Sequence, residues 1–511
     1  MDSLSCTYVG HYKSPSNQKM ALTAYEYRRD LLSLERLNDD EMFELLAPVG
    51  FADWRSASRC LLRLADDPQA RPELGELLPN LLTTLDGAAD PDRVLVSFER
   101  FAHSVPDRLA LYQYLVSNPR AVEILVTLFA GSQFLTEILL RNPEYFERLM
   151  EHKRLAQTKS VEQLYLQAQA ATASCASQAD QLDALRRYQR WELLRIGACD
   201  LLDLFDLPTV TAQLSNLADG MVQACLEIAA IQSNTATDGF VVLSLGKLGG
   251  QELNYSSDID LLFLAGSDAT AYKRLGEQLI GALAYATAEG FLYRVDMRLR
   301  PWGRVGALVS SLDGYLTYLR QHARLWEKQA LIKARAIAGD KVVGEAFLRR
   351  VEPRLFDMTH TDIRAEVHTM KQRTEAHLRQ RGREWGEVKL GAGSIRDIEF
   401  VTQFLQLAHG KAHPEIRSPN TLDALARLSA SGFVSGDEYR VLSDGYIFLR
   451  TIEHHLQMMH YRQTNTLPSD PKALAHLARR LGFQGEVAHD QLLTRYQQHG
   501  AAIRAIYLQY L

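Results

Sequence analysis

The chain has 511 residues, 46% of them hydrophobic and 23% charged, which gives enough apolar material for large cores and an expectation of about three domains. Its net charge of −5 argues against a nucleic-acid binder, which normally carries a basic excess. Five scattered cysteines (Cys6, Cys60, Cys175, Cys199 and Cys225) form no C-x-x-C pair and read as buried thiols in a reducing cytosol, not as disulfides or metal ligands.

The first twenty residues, MDSLSCTYVGHYKSPSNQKM, lack an apolar core, and no run reaches the ~18 apolar residues of a membrane span. Residues 1–20 are therefore expected to be a disordered lead, with Met20 as an alternative start, on a cytoplasmic protein that crosses no membrane. Helical periodicity fills residues 21–234. Ser132 is placed to cap a helix with the stripe Phe134, Leu135, Ile138 and Leu139, and Asn142-Pro143 restarts another. In Leu182–Leu202 the stripe Leu182, Leu185, Tyr188 and Ile196 leaves Arg186, Arg187 and Arg190 on another face. Two readings stay open for that face: a solvated charge run, or a surface that meets an acidic site or a protein substrate.

Thr235–Asp238 marks the entry to a catalytic domain over 235–345. Phe240–Leu245 and Ile259–Ala265 are short apolar runs that read as buried strands. Between them, Gly246, Gly249 and Gly250 let the backbone approach a phosphate closely, Lys247 offers positive charge, and Ser256 and Ser257 add hydroxyl donors. Asp258 and Asp260, two residues apart, leave the same face of a strand, so their carboxylates converge on one ion or a metal pair. Hard carboxylate oxygens suit Mg²⁺. An isolated D-x-D is common by chance, and the turn has neither P-loop nor G-x-G-x-x-G spacing. What gives the acids weight is the apolar run Leu261–Ala265 beside them, where an unpaired carboxylate is costly and a cation offsets the cost. A helix is expected over Ala271–Glu289, with Leu275, Leu279 and Leu283 on one side. Phe291–Arg300 then alternates Tyr293, Val295, Met297 and Leu299 with Arg294, Asp296, Arg298 and Arg300. That alternation predicts a strand beside Ile259–Leu264, bringing a third carboxylate and several guanidiniums to the phosphates.

Residues 346–511 read as a C-terminal helical bundle. Asp362–Arg381 is a charged helix, and Ser394–Ala408 is a helix with Ile398, Val401, Phe404, Leu405 and Ala408 inward, behind the turn Gly391-Ala392-Gly393. Such a helix start can bind phosphate through its N–H groups with Arg396 reaching the nucleotide; equally, Asp397 and Glu399 complement the helix dipole. Tyr446, Leu449, Ile452 and Leu456 form a further stripe. His454 and His455 are adjacent, cannot both face one metal, and read as structural.

The run GKLGGQELNYSSDIDLLFL followed by YRVDMRLRPWG resembles the glutamine synthetase adenylyltransferase/adenylyl-removing enzyme family. The similarity continues through WEKQALIKARA, KLGAGSIRDIEF and NTLPSD, and upstream through LRRYQRWELLRIGACDLL, so that it covers roughly residues 90–511. It implies an α+β, predominantly helical protein whose polymerase-β-type nucleotidyltransferase domain has a small mixed sheet and is flanked by helical regions. Members carry two such halves; this chain has one copy of the motif. The removing half typically reads ELNFSSDIDL and VDMRLRPFG, the transferring half ELGYSSDLDL and VDTRLRPSG. Asn254, Ile259, Met297 and Trp302 side with the removing half and Tyr255 with the other, while Ser394 and Asp397 stand where the family usually has Gly and Glu.

The resemblance therefore implies removal of AMP from an adenylyl-tyrosine of glutamine synthetase by phosphorolysis, with ADP released, as a control on nitrogen assimilation. Asp258, Asp260 and Asp296 are then the catalytic, Mg²⁺-holding acids. Gly246, Lys247, Gly249, Gly250, Ser256, Ser257, Arg298, Arg300 and Arg396 hold phosphates or nucleotide. Phosphate and ADP or ATP are the small-molecule partners, and a PII-type signalling protein the regulator. The alternatives are AMP transfer from ATP to the tyrosine, and a non-catalytic regulatory half that binds nucleotide.

Overall fold

The computed structural model describes residues 38–151, 155–460, 464–485 and 487–511, so the expected lead at 1–20 lies outside it. The chain forms two compact units, Met1–Lys153 with Asp470–Leu492, and Arg154–Ser469 with Leu493–Leu511. Among the described residues the first unit is helical. Ser132 caps Gln133–Arg141 as expected, its Oγ accepting the Leu135 N–H at 3.2 Å. Its core gathers Phe101, Phe129 and Phe146 in tilted and edge contacts. No described helix is long and apolar enough to cross a membrane.

The second unit is α+β and carries a small mixed sheet. Two long helices, α1 (Gln178–Leu201) and α2 (Leu207–Ser233), precede β1 (Phe240–Leu245). There follow α3 (Gly246–Gly249), β2 (Ile259–Ala265), α4 (Lys273–Ala284), β3 (Val295–Asp296), β4 (Val309–Ser311) and β5 (Arg335–Gly339). β1 runs antiparallel to both β2 and β5, while β3 and β4 lie parallel to β2 along its other edge. β1 is buried at every position, and β2 at all but Asp260. That is why both read as continuous apolar runs. The helices after the sheet include α5 (Lys341–Leu355), α6 (His360–Gln380), α7 (Ile395–His409), α8 (Thr421–Ala430) and α9 (Gly436–His460). The stripe Tyr446, Leu449, Ile452 and Leu456 on α9 is buried.

Three expectations change in detail. α4 ends at Ala284, five residues short of the expected helix, because Thr287 and Gly290 exchange backbone hydrogen bonds in a tight turn with Gly290 at φ +81°. The alternating segment pairs as a strand only at Val295–Asp296. Beyond it Pro301 has no N–H to give, Trp302 and Gly303 take φ of +63° and +58°, and the Arg300 guanidinium bonds the carbonyls of Met297, Arg304 and Gly306. Arg300 thus ties a turn together. Finally, the α1 arginines face a turn of this same unit, with Arg187 exposed, Arg190 half-buried and Arg186 buried. Arg186 is buried on Asp183 and the Tyr285 carbonyl, and Arg187 and Arg190 both pair with Glu289, so this face clamps the turn that follows α4.

Of the described cysteines, Cys60, Cys199 and Cys225 are buried free thiols and Cys175 is half-buried. Burial pushes Cys60 and Cys225 up to about 12 and Cys199 to about 11, so these thiols stay protonated.

Candidate active site

Register alone brings the acids together. Asp260 on β2 pairs with Asp296 on β3, and paired residues on neighbouring strands share a face. Asp258 lies just before β2, near enough for its charge to act on Asp260. On that face Val241 and Leu243 of β1 meet α5 at Gly344, where an added Cβ would lie 2.6 Å from the Ala336 Cβ and 3.0 Å from Val241. The polar end of an otherwise apolar sheet face is therefore an acid cluster. Burial first, then the carboxylates of Asp296 and Asp258, push the Asp260 carboxyl up to about 6, against the opposing charges of Lys389 and Arg298.

The other two acids are engaged. Arg294 Nε donates to Asp258 at 2.6 Å and its guanidinium also reaches the Ser256 carbonyl. Asp296 accepts from the backbone N–H of Arg298 at 2.8 Å and from its guanidinium. Among the described residues no three His, Cys, Asp or Glu side chains close around one point as a metal cage. Two acids turn to guanidiniums instead.

The glycine-rich turn meets the acids at Gly246. This residue has φ +57°, and a Cβ there would lie 2.2 Å from Asp260 Oδ2, so only glycine admits the carboxylate. Gly246→Ala should shift the Asp260 carboxylate and cost about 1–2 kcal/mol of stability from the left-handed backbone. Turnover and the denaturation midpoint should both fall; an alanine variant with wild-type turnover would detach Gly246 from the site. Gly249 and Gly250 serve packing. A side chain on Gly249 would strike the Lys333 carbonyl at 1.9 Å, and one on Gly250 the Pro419 carbonyl at 2.9 Å.

Lys247 does not turn toward the acids. Its ammonium is 2.9 Å from Glu453 Oε1 on α9, in a buried ionic cluster behind the turn. Glu453 also pairs with Lys389 at 3.6 Å and Arg450 at 3.3 Å, and accepts the Asn254 amide at 3.0 Å. Burial opposes its ionisation, yet these three cations hold the Glu453 carboxyl well below the usual range. Lys247 is drawn down to about 7 by burial above all, with Lys389 and Arg450 adding to the effect and Glu453 resisting it. Beside this group, Lys333 binds Glu252 at 2.7 Å and Thr421 at 3.1 Å, and Glu399 faces both Lys333 and Arg396.

Ser256 is buried with no partner for its Oγ, and Ser257 donates its backbone N–H to the Asn254 carbonyl at 3.2 Å. The same loop is fixed from behind. Tyr255 donates to Asp200 Oδ2 at 3.1 Å, and His454 Nε2 lies 2.7 Å from that oxygen, so His454 is held as a structural group.

The start of α7 differs from one of its two readings. Its first N–H groups are already bound: Ile395 to the Val388 carbonyl at 3.1 Å, Arg396 to Lys389 at 3.0 Å and Asp397 to Ser394 at 3.0 Å. The Gly393 N–H donates to Asp397, whose carboxylate also meets Lys371 and Arg504. No N–H named here is open to a phosphate, and the Arg396 guanidinium faces Glu399 and the Phe400 ring. Ser394 sits at φ −100°, needs no glycine, and ties the turn through a 2.8 Å bond from its Oγ to the Lys389 carbonyl.

Glu453, Lys389 and Arg450 carry no expected role from the sequence, and Asn254 carries one only in telling the two halves apart. Lys389 stands at the head of the KLGAGSIRDIEF run, which was the available signal. Glu453 lies on a helix with an ordinary amphipathic stripe, and nothing local forecasts its contact with Lys247, 206 positions away.

Residues 122–350 match the family model described as glutamate-ammonia ligase adenylyltransferase, and residues 361–511 match that described as GlnD PII-uridylyltransferase. The chain is 33% identical to the bifunctional glutamine synthetase adenylyltransferase/adenylyl-removing enzyme of Streptomyces avermitilis, over 91% of this chain and 46% of the relative. The enzyme of the same name from Streptomyces coelicolor is 31% identical over 91% of this chain and 47% of its own length. A Nocardia farcinica counterpart is 39% identical over 271 residues, covering 51% of this chain and 26% of the relative. The chain spans about half the length of the first two.

Proposed function

The chain belongs to the glutamine synthetase adenylyltransferase/adenylyl-removing enzyme family, and on that premise we propose that it removes AMP from an adenylyl-tyrosine of glutamine synthetase by phosphorolysis. The observation that carries nucleotidyl chemistry is the pairing of Asp260 with Asp296, with Gly246 against the Asp260 carboxylate. The direction rests on Asn254, a residue that the transferring pattern replaces with glycine. Here its amide donates to Glu453 and its carbonyl oxygen accepts from Arg450 at 2.9 Å, bonds that a glycine lacks.

In this reaction an oxygen of hydrogen phosphate attacks the α-phosphorus of the AMP group and the bond from phosphorus to the tyrosine oxygen breaks. ADP forms, and the proton of the attacking phosphate ends on the tyrosine hydroxyl. A phenol has a pKa of about 10, so charge on the departing oxygen needs stabilising more than the nucleophile needs a base. Asp258, Asp260 and Asp296 suit Mg²⁺: burial and then like charges raise Asp260, and a divalent cation relieves the repulsion. When bound, the cation supplies Lewis-acid polarisation of the phosphoryl oxygens. Arg294 and Arg298, which balance Asp258 and Asp296 in this structure, are placed to neutralise charge on the phosphates. Gly246, having no side chain, leaves room for the Asp260 carboxylate.

Incubation with adenylylated glutamine synthetase and ³²P-orthophosphate tests the reading. Labelled ADP is expected. Label confined to orthophosphate, together with ATP-driven loading of AMP onto the tyrosine, would reverse the direction.

A further inference from the structure

Around Glu453 three cations, Lys247, Lys389 and Arg450, face one carboxylate. The adjoining Lys333 and Arg396 are matched by Glu252 and Glu399. Positive charge is therefore in excess behind the glycine turn, where uncompensated charge is costly unless an anion arrives. The three cations are not equally committed. Lys247 is within hydrogen-bond distance of Glu453, and Arg450 donates to the Glu252 carbonyl at 2.6 Å and to Asn254. The Lys389 ammonium stands 3.6 Å from Glu453, beyond a direct hydrogen bond, and its side chain keeps 25% of its surface exposed.

The backbone of Lys389 is fixed while its ammonium is not. Its carbonyl accepts from the Arg396 N–H and the Ser394 hydroxyl, and its own N–H donates to Glu387 at 3.2 Å. The neighbouring Val388 donates to the Asn465 carbonyl at 2.9 Å. Gly246 abuts the Asp260 carboxylate and is followed directly by Lys247, whose ammonium shares Glu453 with that of Lys389, so a short chain of contacts links this lysine to the acids.

The geometry points to Lys389 as the residue that grips the attacking inorganic phosphate, with Glu453 and Lys247 positioning its ammonium beside the acid cluster. This assignment rests on the phosphorolysis reading and names its nucleophile-binding residue. A phosphate dianion supplies the charge that the cluster lacks, and a lysine ammonium meets it as a movable point charge.

The test uses the full chain with Lys389→Ala, Lys389→Gln and Lys389→Arg, and orthophosphate as the probe. Orthophosphate should raise the thermal unfolding midpoint of the wild type; Lys389→Ala and Lys389→Gln should lose that rise and Lys389→Arg keep part of it. In phosphorolysis assays the alanine variant should show a KM for orthophosphate raised tenfold or more, with KM for adenylylated glutamine synthetase unchanged. Glutamine replaces alanine if the latter misfolds. An unchanged phosphate response and unchanged KM in either folded variant would overturn the assignment. If the wild type makes no ADP yet its phosphate response depends on Lys389, the reaction reading fails and the anion site stands.

Discussion

Replacing Asp260 by asparagine should reduce turnover on the order of 10³-fold or more, the scale of losing a principal electrostatic stabiliser, while making the metal-free protein more heat-resistant. The two effects have one origin. Asp260 stands near the start of β2, and burial first, then the charges of Asp296 and Asp258, raise its carboxyl from 3.8 to about 6. A carboxyl whose folded pKa lies above its unfolded value favours the fold only while protonated, so its stabilising contribution is complete below the unfolded pKa and gone once pH passes the folded one. At pH 7.5 the ionised Asp260 therefore weighs against folding, and asparagine removes that charge. The gain of Asp260→Asn over wild type should be largest above pH 6 and vanish below about pH 4. Differential scanning calorimetry in chelator at both pH values, alongside turnover in Mg²⁺, checks the pair. Near-normal turnover in a folded Asp260→Asn protein would remove this residue from the chemistry.

Replacing Glu453 by alanine should be the most damaging single change to the fold of the second unit. Glu453 is fully buried, and its loss leaves Lys247, Lys389 and Arg450 facing one another with no shared anion. Breaking a buried pair by removing one partner costs about 3–5 kcal/mol, because the remaining charge is left uncompensated. The Asn254 amide also loses its acceptor, and with it the brace on the loop leading to Asp258. Urea denaturation should show the midpoint falling, and turnover should fall with it because the loop loosens. Glu453→Gln, which keeps an oxygen for Asn254, should retain more stability than alanine. Equal midpoints for wild type and Glu453→Ala would mean that the cluster contributes nothing to the fold.

The contrast between these two residues shows what a sequence can express. Asp260 and Asp258 announce themselves through spacing, because alternation on a strand is a local rule and a D-x-D beside an apolar run breaks it visibly. Asp296 was legible for the same reason, although only Val295–Asp296 of the alternating run became strand. The rest of that run turned because Pro301 and the positive-φ pair Trp302-Gly303 ended the ladder, and the Arg300 guanidinium then bound the turn's own carbonyls. Arginine side chains were harder to place. Arg186, Arg187 and Arg190 look like a surface stripe by periodicity, yet their partners at Tyr285 and Glu289 arrive about a hundred positions later. Lys247 was equally ambiguous: adjacency to Gly246 suggests a phosphate ligand, and only the fold reveals that its ammonium is committed to Glu453.

The same locality explains α7. A glycine-rich turn ahead of a helix resembles an anion cradle, but the carbonyls of Val388 and Lys389, six or seven residues upstream, fold back and take the N–H groups that an anion needs. The phosphate-binding charge of that segment is in Lys389 itself and not in the helix start.

Crystals soaked with Mn²⁺ and AMP would reveal whether Asp258, Asp260 and Asp296 together take a divalent cation beside Gly246. An anomalous-scattering peak bounded by these three carboxylates is expected, with Arg298 drawn off Asp296 toward the phosphate. A peak elsewhere, or none at saturating Mn²⁺ with AMP in place, would contradict it.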